Sequence, residues 1–525
     1  FTFRLTVEID ESWQMISQGS RTVNEVLVNR RRVQYDNPDP VDEVYLIAGE
    51  WNEYSHMAGD VLVQAFLRKP DKVLADRYLG VTSYYLAMYE DMIGEYPYTK
   101  FALIENFWET GLGMPSFTLL GEKVIRFPWI LHSSYPHELL HNYWGNSVYV
   151  DYSQGNWCEG ITAYMADHLI KEQQGLADDY RRTTLQKFTN YVNAENDFPP
   201  SEFVSRNNPA EEAIGYGKVL MFNNMLRVEF GDEVFISAYA DFYSRNRFRY
   251  TSFKDIRLSF ERITGKDLRP MFDQWIRRKG APSLQLSDVR AVEEEKGWKL
   301  TYSLKQKQDG EPFILNVPVA VYLENREEVY VSTVSMETGD VKYTHHFDSR
   351  PLRVSIDPQF NLMRRLHHSE VPASLSQLFG AKHSAIILPG NSKQVDNYRK
   401  LAEMWKESLA VQGKDMEIIY DTDITEIPSG LPVWIAGFNN SFYNEIKIND
   451  LYHDFLSDEE KIAILQLTRD HSLVYAIPGK TEPEHTIGFI GTHYPENIMA
   501  LARKLSHYGG YGYLGFTDNT YTNVL

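Results

Sequence analysis

Two histidines four positions apart, with a glutamate between them, constrain the fold of this chain more than any other feature. They lie in the stretch HELLHNYWGNSVYVDYSQGNWCEG, residues 137–160. Residues four apart share one face of an α-helix, so His137 and His141 can direct their imidazoles at one ion. A zinc ion that does chemistry keeps three protein ligands and an open fourth position, so one ligand must come from elsewhere. The spacing therefore predicts two helices that face each other across a metal.

Glu159 is the leading candidate for the third ligand. It follows His141 at the start of a second helical pattern, where the helix dipole favours a glutamate. Two histidines and one carboxylate suit a single Zn²⁺ ion best, although cobalt or manganese can occupy such a site in vitro. Glu138 reaches towards the same spot and is placed as a general base. The alternative is that His137 and His141 are core or surface histidines and that Glu159 only caps a helix.

The hydrophobic pattern predicts a multidomain α+β chain, because 525 residues exceed what one hydrophobic core supports. Apolar residues alternate with polar ones in residues 1 to about 70 and again from 281 to about 360. Between these two segments the apolar residues recur at helical spacing. Beyond about residue 375, short apolar runs separated by helical segments indicate buried parallel strands. The predicted units are a partial N-terminal β-sheet domain (1–70), a mainly helical catalytic domain (71–280), a small β-sandwich domain (281–362) and a C-terminal α/β domain (363–525).

Helix signals place the metal-binding stretch inside the helical unit. An apolar stripe from Leu74 to Ile93 at helical spacing predicts the first helix. Further helices are predicted near 134–145, 159–174, 177–195, 216–230 and 252–278, and in the C-terminal unit near 394–411, 457–468 and 495–507.

The composition argues against two classes of partner. Lys and Arg number 53 against 72 Asp and Glu, a net charge of -19, so the surface repels phosphate backbones and nucleic acid is not expected. No run of about 18 apolar residues appears, so we expect a soluble chain without a membrane span. The single cysteine, Cys158, is expected to be a small buried residue. The chain begins at Phe1 within a strand pattern, so we expect part of the protein, with any targeting segment, to precede it. These patterns assign neither a compartment nor an oligomeric state.

The metal-binding stretch resembles a known family, the gluzincin zinc aminopeptidases that include aminopeptidase N and leukotriene hydrolase. That family has H-E-x-x-H, a spacer and N-E-G, and this sequence has HELLH and NWCEG. The spacer is one residue shorter than usual, and Cys158 stands at the family's asparagine. Two further segments resemble the family, LAMYEDMIGEYPYTKFALIE (86–105) and IGYGKVLMFNNMLRVEFGDEVF (214–235). The resemblance implies a thermolysin-like catalytic domain.

The same resemblance assigns a role to Tyr216. It would donate a hydrogen bond to the oxyanion that develops during peptide hydrolysis, although a tyrosine that only packs is the alternative. Lys218 follows in the same motif and is given no role. The family often has an acid after the ligand glutamate, in contact with a zinc histidine. Here that position is Ala166, with Asp167 adjacent.

The resemblance is weakest at the substrate-binding strand. The family's motif is Gly-(Ala/Gly)-Met-Glu-Asn, and this chain has GLGMPSFTLL, residues 111–120. Gly113 and Met114 match and would align the substrate as an added strand. The Glu-Asn pair, whose glutamate binds the substrate amine in the family, is missing. Glu105 or Glu109 could replace it, although surface acids are the alternative for both.

The sequence therefore predicts a zinc metallopeptidase that acts on peptides, aminopeptidase-like in mode, with Glu138 and Tyr216 as catalytic residues. Two alternatives stay open. One is an endopeptidase or a hydrolase of blocked peptides. The other is a peptidase-like scaffold that binds zinc with little turnover.

Overall fold

The computed structural model describes residues 1–109, 111–447, 471–479 and 485–516. The first strands are β1 (Phe3–Ile9), β2 (Gln14–Ile16), β3 (Ser20–Leu27), β4 (Arg30–Asn37) and β5 (Ile47–Gly49). They form two antiparallel sheets, in which β4 lies between β1 and β3, and β2 pairs with β5. Apolar residues of β1 alternate with exposed polar ones, as the period of two predicts for a half-buried strand.

A five-stranded sheet follows, and its edge borders the candidate site. Its strands are β6 (Asn52–Ala58), β7 (Val61–Leu67), β8 (Lys100–Asn106), β9 (Gly111–Met114) and β10 (Phe117–Gly121). Their order is β6-β7-β8-β10-β9, so β9 is an edge strand, antiparallel to β10. Strand β7 pairs in parallel with β8, so this sheet crosses the domain boundary predicted at residue 70. The division into four domains stays a prediction.

Helix α1 (Lys72–Met92) crosses from β7 to β8, as a parallel pair of strands requires. The side chain of Asp71 accepts a hydrogen bond from the Leu74 amide and caps its first turn. The residues of the predicted apolar stripe are buried, among them Tyr78, Tyr85 and Tyr89. The first predicted helix is therefore confirmed.

The central region is helical. Its helices are α2 (Ser134–Leu140), α3 (Cys158–Thr162), α4 (Leu169–Gln173), α5 (Ala177–Tyr191), α6 (Pro209–Glu212), α7 (Val219–Phe230), α8 (Asp232–Asn246), α9 (Phe253–Thr264) and α10 (Arg269–Ile276). Two π-helical turns, Ala163–His168 and Ala213–Lys218, join α3 to α4 and α6 to α7. A two-stranded sheet of β11 (Tyr149–Val150) and β12 (Tyr250–Thr251) lies beside them. Helix α8 was not among the predicted helices, and Gly265 divides the predicted helix 252–278 into α9 and α10.

Two antiparallel three-stranded sheets form the next region. Their strands are β13 (Leu284–Glu294), β14 (Gly297–Gln306), β15 (Leu315–Leu323), β16 (Tyr330–Met336), β17 (Asp340–Phe347) and β18 (Pro351–Ile356). The orders are β13-β14-β17 and β16-β15-β18. Leu300 and Leu304 of β14 and Val319 of β15 are buried in one apolar cluster with residues of the helical region. This arrangement has the strand pattern that the sequence predicted for 281–362.

The C-terminal region is a mixed sheet with helices. Its elements are α11 (Leu375–Gly380), β19 (His383–Leu388), α12 (Val395–Val411), β20 (Asp415–Tyr420), β21 (Val433–Ala436), β22 (Ser472–Pro478), β23 (Thr486–Gly491), α13 (Ile498–Lys504) and β24 (Tyr513–Phe516). The order is β20-β19-β21-β23-β22-β24, with β22 antiparallel to its neighbours. The predicted helix 457–468 lies outside the described residues.

These elements confirm the predicted fold class, a multidomain α+β chain with a mainly helical centre. Among the described helices, none combines the length and the apolar character that a membrane crossing requires.

Candidate metal centre

His137 lies in the middle of α2, a helix of two turns that depends on packing, and His141 directly follows its last residue. Tyr135, Leu139 and Leu140 are buried and hold it against the core, because so short a helix is not stable by itself. The His141 amide donates to the His137 carbonyl, so the helical turn continues through both histidines. Their ring centroids are 4.8 Å apart. The predicted common face is therefore present.

Glu159 reaches this face from the first turn of α3. Its Oε2 lies 3.5 Å from the Nε2 atom of His137 and 3.5 Å from the Nε2 atom of His141. The ligand atoms of the three residues lie within 4.8 Å of one another. Two imidazole nitrogens and one carboxylate oxygen that converge in this way suit zinc, and a cavity beside them leaves room for a fourth ligand. The three predicted ligands are thus brought together.

The second nitrogen of each histidine has its own partner. Nδ1 of His137 lies 2.9 Å from Oδ2 of Asp167, and Nδ1 of His141 lies 3.1 Å from the Trp144 carbonyl. Such contacts place the ring proton on Nδ1 and leave Nε2 free for a metal. Cys158 is buried, and its Sγ lies 3.0 Å from the same carbonyl and 3.3 Å from His141 Nδ1. The cysteine therefore packs against the outer side of His141.

A π-helical turn explains why Asp167, and not residue 166, contacts His137. In a regular α-helix a residue seven positions after Glu159 would share its face, and that residue is Ala166. The turn Ala163–His168 is π-helical and accommodates one additional residue. The following residue, Asp167, is therefore rotated onto the face that carries Glu159.

The charges of these groups are strongly coupled. Burial alone would lower the pKa of His137, but Asp167 and Glu159 outweigh it and raise the pKa to about 9. Burial likewise opposes a charge on His141, yet Cys158 and Glu159 hold its pKa above the ordinary range. The pKa of Glu159 is lowered despite burial, because both histidines stabilise its carboxylate. A metal ion at this place would therefore compete with protons for the two imidazoles.

Glu138 lies beside the edge strand β9. Its carboxylate opens into the same cavity as the three ligands. A Cβ atom added at Gly113 would stand 2.8 Å from Glu138 Oε2 and 3.1 Å from the Glu138 carbonyl, so only glycine fits there without a shift. Met114 does not line the cavity, and its side chain packs against the apolar cluster behind the sheet. Glu138 and Gly113 thus lie next to each other on the cavity wall, whereas the Met114 side chain does not reach the cavity.

Tyr216 enters the cavity from the second π-helical turn, Ala213–Lys218. Its ring stacks on His137, with centroids 6.4 Å apart and planes 12° apart. Burial raises the pKa of Tyr216, and the Glu159 carboxylate raises it further. The hydroxyl therefore stays protonated and can donate a hydrogen bond. Lys218 is buried, and its Nζ donates to the carbonyls of Arg278 and Gly280, which gives it a structural role.

The two acids that could replace the missing glutamate are held elsewhere. Glu105 is buried, and its carboxylate binds Arg126 and the Arg68 amide. The Glu109 carboxylate accepts hydrogen bonds from the amides of Lys123 and Val124. Neither residue lines the cavity. The structure therefore does not support either one as the amine-binding residue.

The cavity has a volume of about 550 Å³ and contains charged residues that the sequence did not single out. Lys187, Arg206 and Glu212 line it together with the candidate metal ligands. No motif marks these three positions, because they are ordinary charged residues on α5, α6 and the loop before α6. The sequence indicated an acid near Asp167, because the family often has one on the helix after the ligand glutamate. The contact between Asp167 and His137 depends on the π-helical turn, which a sequence pattern does not show.

Comparisons with known proteins show which family the central helical region is similar to. Residues 131–275, which carry the histidine, Glu159 and Tyr216 segments, match the model of the Peptidase family M1 domain. This match, together with the aminopeptidases described below, supports the gluzincin aminopeptidase family, peptidase family M1, that the sequence predicted.

Individual relatives are distant. The chain is 22% identical over 309 residues to aminopeptidase 2, mitochondrial, of Saccharomyces cerevisiae, which is 55% of this chain and 32% of that protein. It is 20% identical over 476 residues to the alanine/arginine aminopeptidase of the same yeast, 83% of this chain and 53% of that protein. The crystal structure of Legionella pneumophila aminopeptidase A in complex with aspartic acid matches the fold with a TM-score of 0.57 at 16% identity. The matched region covers 77% of this chain and 48% of the Legionella protein. The chain thus spans between a third and about half of these proteins.

Proposed function

We propose that this protein is a zinc-dependent metallopeptidase, aminopeptidase-like, that hydrolyses peptide bonds with Glu138 as the general base. One observation carries the proposal. A single carboxylate oxygen of Glu159 lies 3.5 Å from the Nε2 atoms of both His137 and His141, beside a cavity into which Glu138 opens. One zinc ion held by these three residues would acidify a water molecule and polarise the substrate carbonyl.

Residues of the chain would carry out proton transfer, stabilise the oxyanion and align the peptide. Glu138 accepts the proton of the attacking water and passes it to the leaving amine. Tyr216 donates a hydrogen bond to the oxyanion, a contribution of about 3 to 4 kcal/mol for a well-placed donor. Strand β9, an edge strand of its sheet, aligns the peptide as an added strand at Gly113. Asp167 and the Trp144 carbonyl hold the two imidazoles in orientation.

The names of the relatives favour removal of N-terminal residues, because the proteins that match are aminopeptidases. The residues of this chain favour a second candidate, hydrolysis of internal or blocked peptides. Neither Glu105 nor Glu109 lines the cavity, and among the described residues its acids are Glu138, Glu159, Asp167 and Glu212. Each of these has another role or contact. A zinc-binding scaffold with little turnover is less well supported, because Glu138 is retained.

Three reporters test these modes on the zinc-loaded protein. They are an aminoacyl reporter with a free amine, the same reporter N-acetylated, and an internally quenched peptide. Cleavage of the free-amine reporter alone is expected of an aminopeptidase, and equal cleavage of the acetylated one would exclude that mode. Glu138→Gln is the control and should lower any true turnover by about 10²- to 10⁴-fold. If the protein binds zinc and cleaves none of the three reporters, the peptidase proposal is contradicted.

A further inference from the structure

Three charged side chains form a cluster on the wall of the same cavity. Lys187 lies on α5, Glu212 ends α6, and Arg206 lies in the loop before α6. Lys187 Nζ is 2.9 Å from Glu212 Oε1, and Arg206 Nη1 is 3.4 Å from Glu212 Oε2. All three residues line the cavity that His137 and Glu138 line. The peptidase mechanism proposed above uses none of them.

The cluster carries a net positive charge. Burial would raise the pKa of Glu212, but Lys187 and Arg206 outweigh it and hold the pKa below the ordinary value. Glu212 is therefore ionised at neutral pH and offsets only one of the two cations. A substrate ammonium group would meet a carboxylate that is already paired twice, whereas an anion would meet the remaining positive charge. The sign of this cluster is opposite to that of the chain as a whole, whose net charge is -19.

Arg206 is the member with unused hydrogen-bonding capacity. Its side chain is 53% exposed. Among the described residues it makes one side-chain hydrogen bond, from Nη1 to Glu212 Oε2. Its guanidinium carbon lies 5.4 Å from the centre of the Tyr216 ring, over the ring face. An arginine presents five donors in a planar fork that matches a carboxylate. Nε and Nη2 are thus available for a second carboxylate.

The position of Arg206 limits where that carboxylate sits on a substrate. Arg206 lies over Tyr216, and Tyr216 stacks on the metal-ligand candidate His137. The two separations, 5.4 and 6.4 Å, place the guanidinium carbon within about 12 Å of the His137 ring, a span of about three extended residues. The group that Arg206 contacts therefore lies within about three residues of the bond to be cleaved.

We propose that Arg206, with Lys187 beside it, is the specificity-determining residue for a substrate carboxylate, so that the substrates are acidic peptides. This inference rests on the proposed peptidase function. The carboxylate can belong to an Asp or Glu side chain or to the C-terminus of a short peptide. In both cases the guanidinium donates two parallel hydrogen bonds to it.

Binding measurements test the inference without turnover. The full chain with Glu138→Gln is loaded with zinc, and peptides with a free or an acetylated N-terminus are titrated into it by calorimetry. One set places Glu or Gln at each of three positions on either side of the scissile bond. A second set compares a free C-terminus with its amide. We expect at least about tenfold tighter binding of the acidic member in one set, as charge-assisted hydrogen bonds provide.

Variants assign that preference to Arg206. Arg206→Met should abolish it, and Arg206→Lys should restore only part of it, because lysine lacks the planar fork. Arg245→Met is the matched control. Arg245 is 59% exposed, pairs with one acid, Asp241, and does not line the cavity. This control should keep the full preference, as should the unsubstituted chain in a turnover assay with the same peptides.

The outcomes separate this inference from the proposed function. Hydrolysis of acidic and neutral peptides at equal rates, with equal affinities, would overturn the inference and leave the peptidase function in place. A carboxylate preference that needs Arg206, in a chain that cleaves nothing, would support the inference and contradict the function. A preference that survives Arg206→Met, or no binding of any peptide, would overturn the inference. A preference confined to the free C-terminus would identify the α-carboxylate as the source.

Discussion

Tyr216 faces the cavity with its ring against His137, 6.4 Å away, and with its hydroxyl kept protonated by burial. We expect Tyr216→Phe to lower kcat by about 10²- to 10³-fold, since the phenylalanine ring keeps the packing and loses only the donor. KM and the zinc content should change little. Steady-state kinetics and metal analysis of the variant measure these values, with the exposed Tyr84→Phe as control. An unchanged kcat would mean that Tyr216 only packs.

Residues of the site differ in how far a sequence can predict them. His137, His141 and Glu159 follow from local spacing, because helix geometry pairs the histidines and the segment between α2 and α3 brings Glu159 to them. Lys187, Arg206 and Glu212 come from separate segments without a motif, so only the folded chain shows that they share a cavity. Glu105 and Glu109 were plausible by position along the chain, but their hydrogen bonds hold them outside the cavity.

At the scale of elements, the π-helical turn Ala163–His168 determines which acid contacts His137. It rotates Asp167 onto His137, 2.9 Å from Nδ1. We expect Asp167→Asn to weaken zinc binding by about 10- to 100-fold, because the amide orients the imidazole without a negative charge. Competition with a chelator measures the affinity. Asp178→Asn, an exposed acid on α5, is the control and should bind zinc as tightly as the unsubstituted chain.

The edge strand β9 provides a second prediction, because Glu138 packs against it. A methyl group at Gly113 would stand 2.8 Å from Glu138 Oε2 and 3.1 Å from the His141 Cβ atom. We expect Gly113→Ala to displace Glu138 and to lower kcat at least about 100-fold, the lower range for loss of a general base. Gly80→Ala on the exposed side of α1 meets nothing within 4 Å and should stay fully active. Full activity of Gly113→Ala would show that the close contact is not needed.

The elements themselves were predicted well where the apolar pattern was regular. Helix α1 follows from its stripe, and β1 from its alternation. Helix α8 also carries apolar residues at helical spacing, but it begins one residue after Gly231, which ends α7. Gly231 was recognised as the end of α7, and for that reason the start of α8 at the next residue was not predicted. The antiparallel placement of β22 depends on pairing between distant strands, which a local pattern does not contain.

At the scale of the whole molecule, one apolar cluster joins the sheet of β7 and β8, the helical region and the two sheets of β13–β18. The C-terminal region contacts α5 through Gln186 and Asn190, which donate to Ser374 and Ser376. Helix α5 also carries Lys187 of the charged cluster. The C-terminal region thus packs against the helix that forms one wall of the cavity.

A buried lysine in β8 makes the stability of the whole chain depend on pH. Burial lowers the pKa of Lys100 from its ordinary value of 10.5 to about 7. Between these values the unfolded chain binds more protons than the folded one, so the free energy of unfolding rises with pH. We expect Lys100→Met to remove a rise of about 3 to 4 kcal/mol between about pH 7 and 10.

Denaturant titrations at several pH values measure that rise in the unsubstituted chain and in the variant. Lys69→Met is the control, because the Lys69 side chain is 78% exposed and its substitution should leave the slope unchanged. Equal slopes for Lys100→Met and the unsubstituted chain would show that Lys100 keeps an ordinary pKa in the folded protein.

The central claim is that His137, His141 and Glu159 together hold one zinc ion, and metal analysis with thermal melting tests it most directly. The purified chain, dialysed against zinc and then against buffer, should retain one zinc per chain and melt at a higher temperature than the chelated protein. Glu159→Gln should retain far less zinc and lose most of that increase. A chain that retains no zinc and melts at the same temperature with and without it would contradict the account, as would undiminished zinc in a variant with both histidines replaced by alanine.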